Sequence, residues 1–161
     1  MTKFDIFSTQ IVLNFVSFGL LAFLYAYPQL KKLPLKTALS ILVFCSAFRQ
    51  LGLIYLHPVL TGANPSSLFS ILTAYGDLVV ALLAIISVIG LQKNKSWSIP
   101  LVWVFNILGI VDFINAYTFG FIDHAWNFLT GAGWFVPVVI VPFITISHIL
   151  IFILLLKAPK E

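Results

Sequence analysis

The chain is predicted to be an all-α integral membrane protein, a single domain (1–161) folded as a bundle of five transmembrane helices with the N-terminus outside and the C-terminus cytoplasmic. Three observations predict this. Of 161 residues, 61% are apolar and only 9% are charged, with a mean hydropathy of +1.09, whereas a soluble domain carries roughly 25% charged residues. The apolar residues fall into five runs, each near the ~20 residues needed to cross a ~30 Å hydrocarbon core. The lysines collect at alternate ends of those runs, as the positive-inside rule requires.

The first run, about 7–29, follows MTKFDIFSTQ, which lacks the compact basic region and small-residue cleavage site of a secretory signal, so it reads as a retained helix. QLKKLPLK, with Pro34, separates it from the second run, about 37–57. The turn-rich HPVLTGANPSS leads to the third, about 68–91, and the polar turn QKNKSW to the fourth, about 99–121. IDHAWNFLTGAG precedes the fifth, about 134–156; its Trp126 and the nearby Trp134 suit a membrane interface, where an indole buries its ring and keeps its N–H wet. Gly131 and Gly133 read as a flexible hinge before that last helix. Lys31, Lys32, Lys36, Lys93, Lys95, Lys157 and Lys160 fall on one side and only Lys3 on the other, which makes the first side cytoplasmic.

Ionisable residues inside the runs are the exceptions that need a reason. Arg49 interrupts AFRQLGLIYLHP about eight residues, or roughly 12 Å, below the outer end of the second helix. Asp77 and Asp112 lie at a similar depth in the third and fourth. Such residues cost about 2.5–3.5 kcal/mol each on insertion scales and therefore face the bundle interior and seek partners. One cation between two ionised carboxylates leaves a surplus negative charge, which a proton or a cation would neutralise. A structural ion pair acting as glue between helices is the bland alternative.

Flanking residues extend the polar face. Trp103, Asn106, Gly109, Asp112 and Asn115 recur every third position of the fourth helix and are read as one stripe about 120° wide, while Ser70, Thr73, Asp77, Ala81 and Ala84 lie within about 80° on the third. Gln10, Asn14 and Ser17 form a weaker stripe on the first. In the fifth helix Pro137 and Pro142 predict a kink, with the Val138 carbonyl freed by Pro142. His148 is counted roughly 9 Å deeper than the carboxylates, where it would extend a polar path or serve as an acid–base group.

Function classes are narrowed by what is missing. The lysines form membrane edges instead of one basic face, so nucleic acid is not expected as a partner. Cys45 alone makes no intrachain disulfide. No HExxH, CxxC, Walker A or GxSxG motif occurs, no lysine stands inside a run to hold a retinal, and only His57, Asp123 and His124 are candidates for an exposed metal set. No cofactor is identified.

The leading expectation is a protein that binds or transports a small ligand, ion or proton from an outward-facing cavity lined by Arg49, Asp77, Asn106, Asp112 and Asn115, with His148 deeper. A membrane enzyme acting on a lipid-soluble substrate, with an aspartate and His148 as acid and base, is one alternative, weakened by the lack of a nucleophile. An accessory subunit of a larger complex is the other, and a homo-oligomer fits as well. Compactness and the lack of a targeting segment point to a bacterial plasma membrane as the location.

Overall fold

The structure, a computed structural model, describes residues 1–64 and 66–157. Lys160 and the end of the C-terminal tail, used above for topology, lie outside the described residues. Five helices are long and apolar enough to cross a membrane: α1 (Lys3–Leu30), α2 (Leu35–Leu56), α3 (Leu68–Gln92), α4 (Ser98–Ile122) and α5 (Gly131–Lys157). Each contains the run predicted for it to within a residue at its ends, and α1 and α5 extend beyond theirs by up to four. Among the described residues the remaining structure is short helices, turns and coil, with no strand.

The boundaries follow from local chemistry. Thr2 caps α1 in a capping box: its hydroxyl accepts from the Asp5 N–H at 3.1 Å, and its own N–H donates to the Asp5 carboxylate at 2.7 Å. Pro34, whose missing N–H costs nothing at a helix start, stands at the N-cap of α2. α2 stops at Leu56 because His57 precedes Pro58 and adopts the extended backbone that position favours. Ser67 caps α3 by accepting from the Ser70 N–H at 3.1 Å.

α3 packs against both α2 and α4, and α5 against α1, α2 and α4. α1 is peripheral, with only 11% of its apolar window buried. Its Gln10 and Ser17 are exposed, and Asn14 donates to the Gln10 carbonyl of its own helix at 3.0 Å, so the stripe expected there does not turn inward.

Two apolar clusters fill the bundle. One, at the lysine-bearing end, is largely aliphatic and includes Leu39, Val43, Val80, Ala84, Val102, Leu150 and Ile151. The other, at the opposite end, is rich in aromatics, with Phe7, Tyr55, Phe69 and Phe113. On α2, α3 and α4 the buried charged and amide side chains fall between these two cores.

Three departures from regular α geometry shape the bundle. Residues Ser46–Leu56 of α2 form a 3-10 helix, far longer than the usual 3–4 residues. With three residues per turn, Ser46, Arg49, Gly52 and Tyr55 eclipse one another, and all four are buried. The other two departures are π turns, Ala22–Ala26 shortly before Pro28 and Val136–Ile140 just before Pro142.

The second π turn redistributes the carbonyls that the prolines leave without partners. Pro137 has no N–H to offer Gly133, four residues earlier, and the Gly133 carbonyl instead accepts from the buried Tyr55 hydroxyl at 3.0 Å. The Val141 N–H donates to Val136, five residues back. In that wider register the partner of the Pro137 carbonyl would be the nitrogen of Pro142, which carries no proton; Tyr117 donates to it at 3.0 Å. A side chain thus caps the carbonyls of Gly133 and Pro137, the latter one residue before the Val138 expected from α spacing. Gly133 is buried, and a Cβ there would press on the Thr61 backbone at 2.9 Å.

Candidate functional site

Arg49 and its partners form a polar layer within the bundle. The Arg49 Nε donates to Asp77 at 2.7 Å, and Nη2 donates to Asp112. Nη1 donates to the Gly109 carbonyl at 3.3 Å and faces His148 Nε2 at 3.5 Å. All three guanidinium nitrogens are engaged, each by a different helix or turn, a division of labour that needs the planar fork of arginine. The guanidinium also lies over the Phe113 ring, 3.8 Å from its centroid, so its open face meets a π-system instead of water.

Helix geometry explains why the side chains meet. The 3-10 turn carries Arg49 onto the face of α2 that meets α3. A Cβ on Gly52 would overlap the Asp77 carboxylate, one on Gly76 the Asp112 carboxylate, and one on Gly109 the His148 ring. Glycine at these three positions lets the backbones approach closely enough for short contacts. Of the three, only Gly109 was singled out from sequence, because Gly52 and Gly76 show no pattern until the facing helix is known. Phe105, stacked on His148 with centroids 5.0 Å apart, and Phe113 were likewise not distinguished from other apolar residues.

The amide of Asn106 fixes the histidine. Its Nδ2 donates to the His148 backbone carbonyl at 3.2 Å, which turns Oδ1 toward the ring, 2.6 Å from Nδ1. An amide oxygen only accepts, so the network assigns the ring proton to Nδ1 and leaves the Nε2 lone pair facing the Arg49 N–H. His148 is therefore a neutral acceptor toward the guanidinium. It joins the cluster instead of lying isolated below it, since Nη1 reaches the level of Gly109 while Nη2 reaches Asp112.

Asn115 does not join the others and is exposed. Every third residue of an α-helix falls about 60° short of a full turn, so Asn106 and Asn115 stand about 180° apart. The supposed stripe is a helical ramp: Asn106 and Gly109 are buried, Asp112 half-buried and Asn115 on the outside. On α3, by contrast, the expected face is intact, with Ser70, Thr73, Asp77, Ala81 and Ala84 all buried.

With both carboxylates ionised the cluster carries two negative charges against one positive. Arg49 is 1% exposed at its side chain, Asp77 8% and Asp112 13%. The void beside Arg49 and Asp77 measures about 10 Å³ and is walled by Phe48, Phe113, Val136 and Ile144, among others. That is room for about one water, in place of the outward-facing ligand cavity expected. The aromatic core fills the space above it: Tyr55 meets Phe69, and Phe7 meets Trp134. Trp134 donates to Gln10 at 2.8 Å at the bundle edge. His57, Asp123 and His124 do not assemble a metal set, and among the described residues no three His, Cys, Asp or Glu side chains do.

No curated protein and no solved structure matches the chain. The family model described as Domain of unknown function (DUF8737) matches residues 6–156, a stretch that holds the entire polar cluster and nearly all of the five helices, and the chain belongs to that family.

Proposed function

We propose that this is a multi-pass membrane protein whose Arg49–Asp77–Asp112–His148 cluster takes up and releases a proton, as the sensing or coupling step of a small transport or signalling device. The observation that carries this reading is the charge count of three largely buried side chains. One guanidinium is shared by two carboxylates, and the void beside Arg49 and Asp77 measures only about 10 Å³, room for about one water. One proton makes the cluster neutral. Asp112 is the proposed carrier, because it is the more exposed of the two carboxylates. Asp77, held at 2.7 Å by Nε, anchors the arginine.

Buried hydroxyls support a route for the proton. Ser46 lies one 3-10 turn from Arg49, Thr73 lies one α turn from Asp77, and neither hydroxyl has a hydrogen-bond partner among the described residues. The lysine asymmetry supports an orientation with the N-terminus outside, which places Thr73 on the outer side of the cluster and Ser46 on the inner.

The test is infrared difference spectroscopy of the full chain in lipid nanodiscs on acidification. The expected result is a gain of the C=O stretch of a protonated carboxylic acid, lost in Asp112→Asn while that variant keeps its fold. A band unchanged in both Asp77→Asn and Asp112→Asn overturns the proposal.

A further inference from the structure

At the lysine-bearing end of the bundle a cavity of about 740 Å³ opens between the start of α2 and the turn that joins α3 to α4. It does not touch the Arg49 cluster, and nothing in the proton reading uses it. Its walls divide by chemistry. Leu35, Leu91, Ile99 and Pro100 supply an apolar side, while Lys36 from α2 and Lys95 from the α3–α4 turn supply two cationic side chains.

The cationic side is held in place. The Lys36 Nζ donates to Asn94 Oδ1 at 3.3 Å, across from α2 to the α3–α4 turn. Asn94 adopts a left-handed backbone (φ 51°), which turns the chain sharply there, and the Lys95 N–H donates to the Gly90 carbonyl at 2.9 Å. Among the described residues neither lysine has a carboxylate partner, since Arg49 makes both ion pairs found there. The acidic residues described, Asp5, Asp77, Asp112 and Asp123, all lie in the bundle interior or toward the opposite end. Two further positive contributions point the same way. α2 and α4 both begin at this cavity, and neither start has a side-chain cap or an acidic residue in its first turn, so their partial positive ends are left uncompensated.

We infer that this cavity binds a phosphate-bearing anion with an apolar portion, the phosphate between Lys36 and Lys95 and the apolar part against Leu35, Leu91 and Ile99. A phospholipid headgroup and a soluble phosphate ester share that chemistry, and the experiment separates them.

The measurement is native mass spectrometry of the full chain released from nanodiscs containing equal amounts of phosphatidylglycerol and phosphatidylcholine. Retention of phosphatidylglycerol in preference to phosphatidylcholine is expected, with the preference reduced about thirtyfold in the Lys36→Gln/Lys95→Gln double variant. At 1.4 kcal/mol per tenfold this is roughly 2 kcal/mol, the sum for two lysines near an anionic surface. Lys157→Gln is the control, because Lys157 sits at the same end but donates to the Tyr27 hydroxyl at 3.0 Å and does not line the cavity. It should change the preference by no more than about fivefold, the general surface contribution of one lysine, and Lys36→Arg/Lys95→Arg should keep it. If millimolar glycerol phosphate displaces the bound lipid, the site takes soluble phosphate esters as well; if it does not, the site is a lipid site. Equal retention of the two lipids, or a Lys157→Gln effect as large as that of the double variant, overturns the inference. Neither result bears on the proton reading, whose infrared band comes from the aspartates.

Discussion

Arg49 is worth more to this bundle as a junction than as a charge. Its three nitrogens serve Asp77, Asp112, the Gly109 carbonyl and His148, so its removal leaves two carboxylates and a carbonyl facing each other across a gap. Breaking a buried ion pair from one side costs about 3–5 kcal/mol, whereas replacing the whole set by apolar groups of similar volume is often nearly neutral. Arg49→Ala is therefore expected to lower the unfolding midpoint in detergent sharply, and Arg49→Ala/Asp77→Asn/Asp112→Asn to recover a good part of the loss. Arg49→Lys should behave more like alanine than like arginine, since one ammonium cannot reach Asp77 and Asp112 along diverging directions. Thermal unfolding of the four proteins in one detergent checks the ordering, and a triple variant no more stable than Arg49→Ala would contradict the coupling described here.

At the scale of elements, the irregular turns place side chains that regular helices would misdirect. The 3-10 stretch of α2 stacks Arg49, Gly52 and Tyr55 on one face, and α5 presents carbonyls to two tyrosines, one from its π turn and one from the turn before it. Tyr55 thus links the two irregularities, since it sits on the 3-10 face and caps the Gly133 carbonyl that Pro137 strands. An unsatisfied buried carbonyl costs about 1–3 kcal/mol. Tyr55→Phe should destabilise by that amount in the parent chain and by clearly less once Pro137→Ala returns an N–H to the helix. A double-mutant cycle on unfolding midpoints measures the difference, and equal costs in the two backgrounds would mean that Tyr55 does not act through the proline.

For the whole molecule, the distribution of lysines predicts the orientation. Lys31, Lys32, Lys36, Lys93, Lys95 and Lys157 lie at one end of the bundle and Lys3 at the other, where it donates to the Asn127 carbonyl at 3.2 Å. A protease site appended after residue 161 should be cut only from the cytoplasmic side and one placed before residue 1 only from outside. Cleavage of the C-terminal site in intact cells or right-side-out vesicles would reverse the assignment.

Composition and run length determined the class and the five helices, because the need to cover ~30 Å of hydrocarbon is read residue by residue and does not depend on which helix neighbours which. The rarity of charge inside the runs likewise marked Arg49, Asp77 and Asp112 as partners, since an apolar exterior leaves such groups only the interior. Three things waited for the tertiary structure. Asn115 was counted with Asn106 because a repeat of three looks like a face in the text, yet an α-helix turns it away; the repeat of three that does form a face is Ser46, Arg49, Gly52 and Tyr55, where the backbone is 3-10. His148 meets the cluster in spite of its place further along its own helix, because counting along one helix ignores how far an arginine reaches across to another. Only about 10 Å³ is left beside Arg49 and Asp77, and aromatic side chains from several helices and their connecting loop pack above the cluster, a matter of facing neighbours that no single helix records.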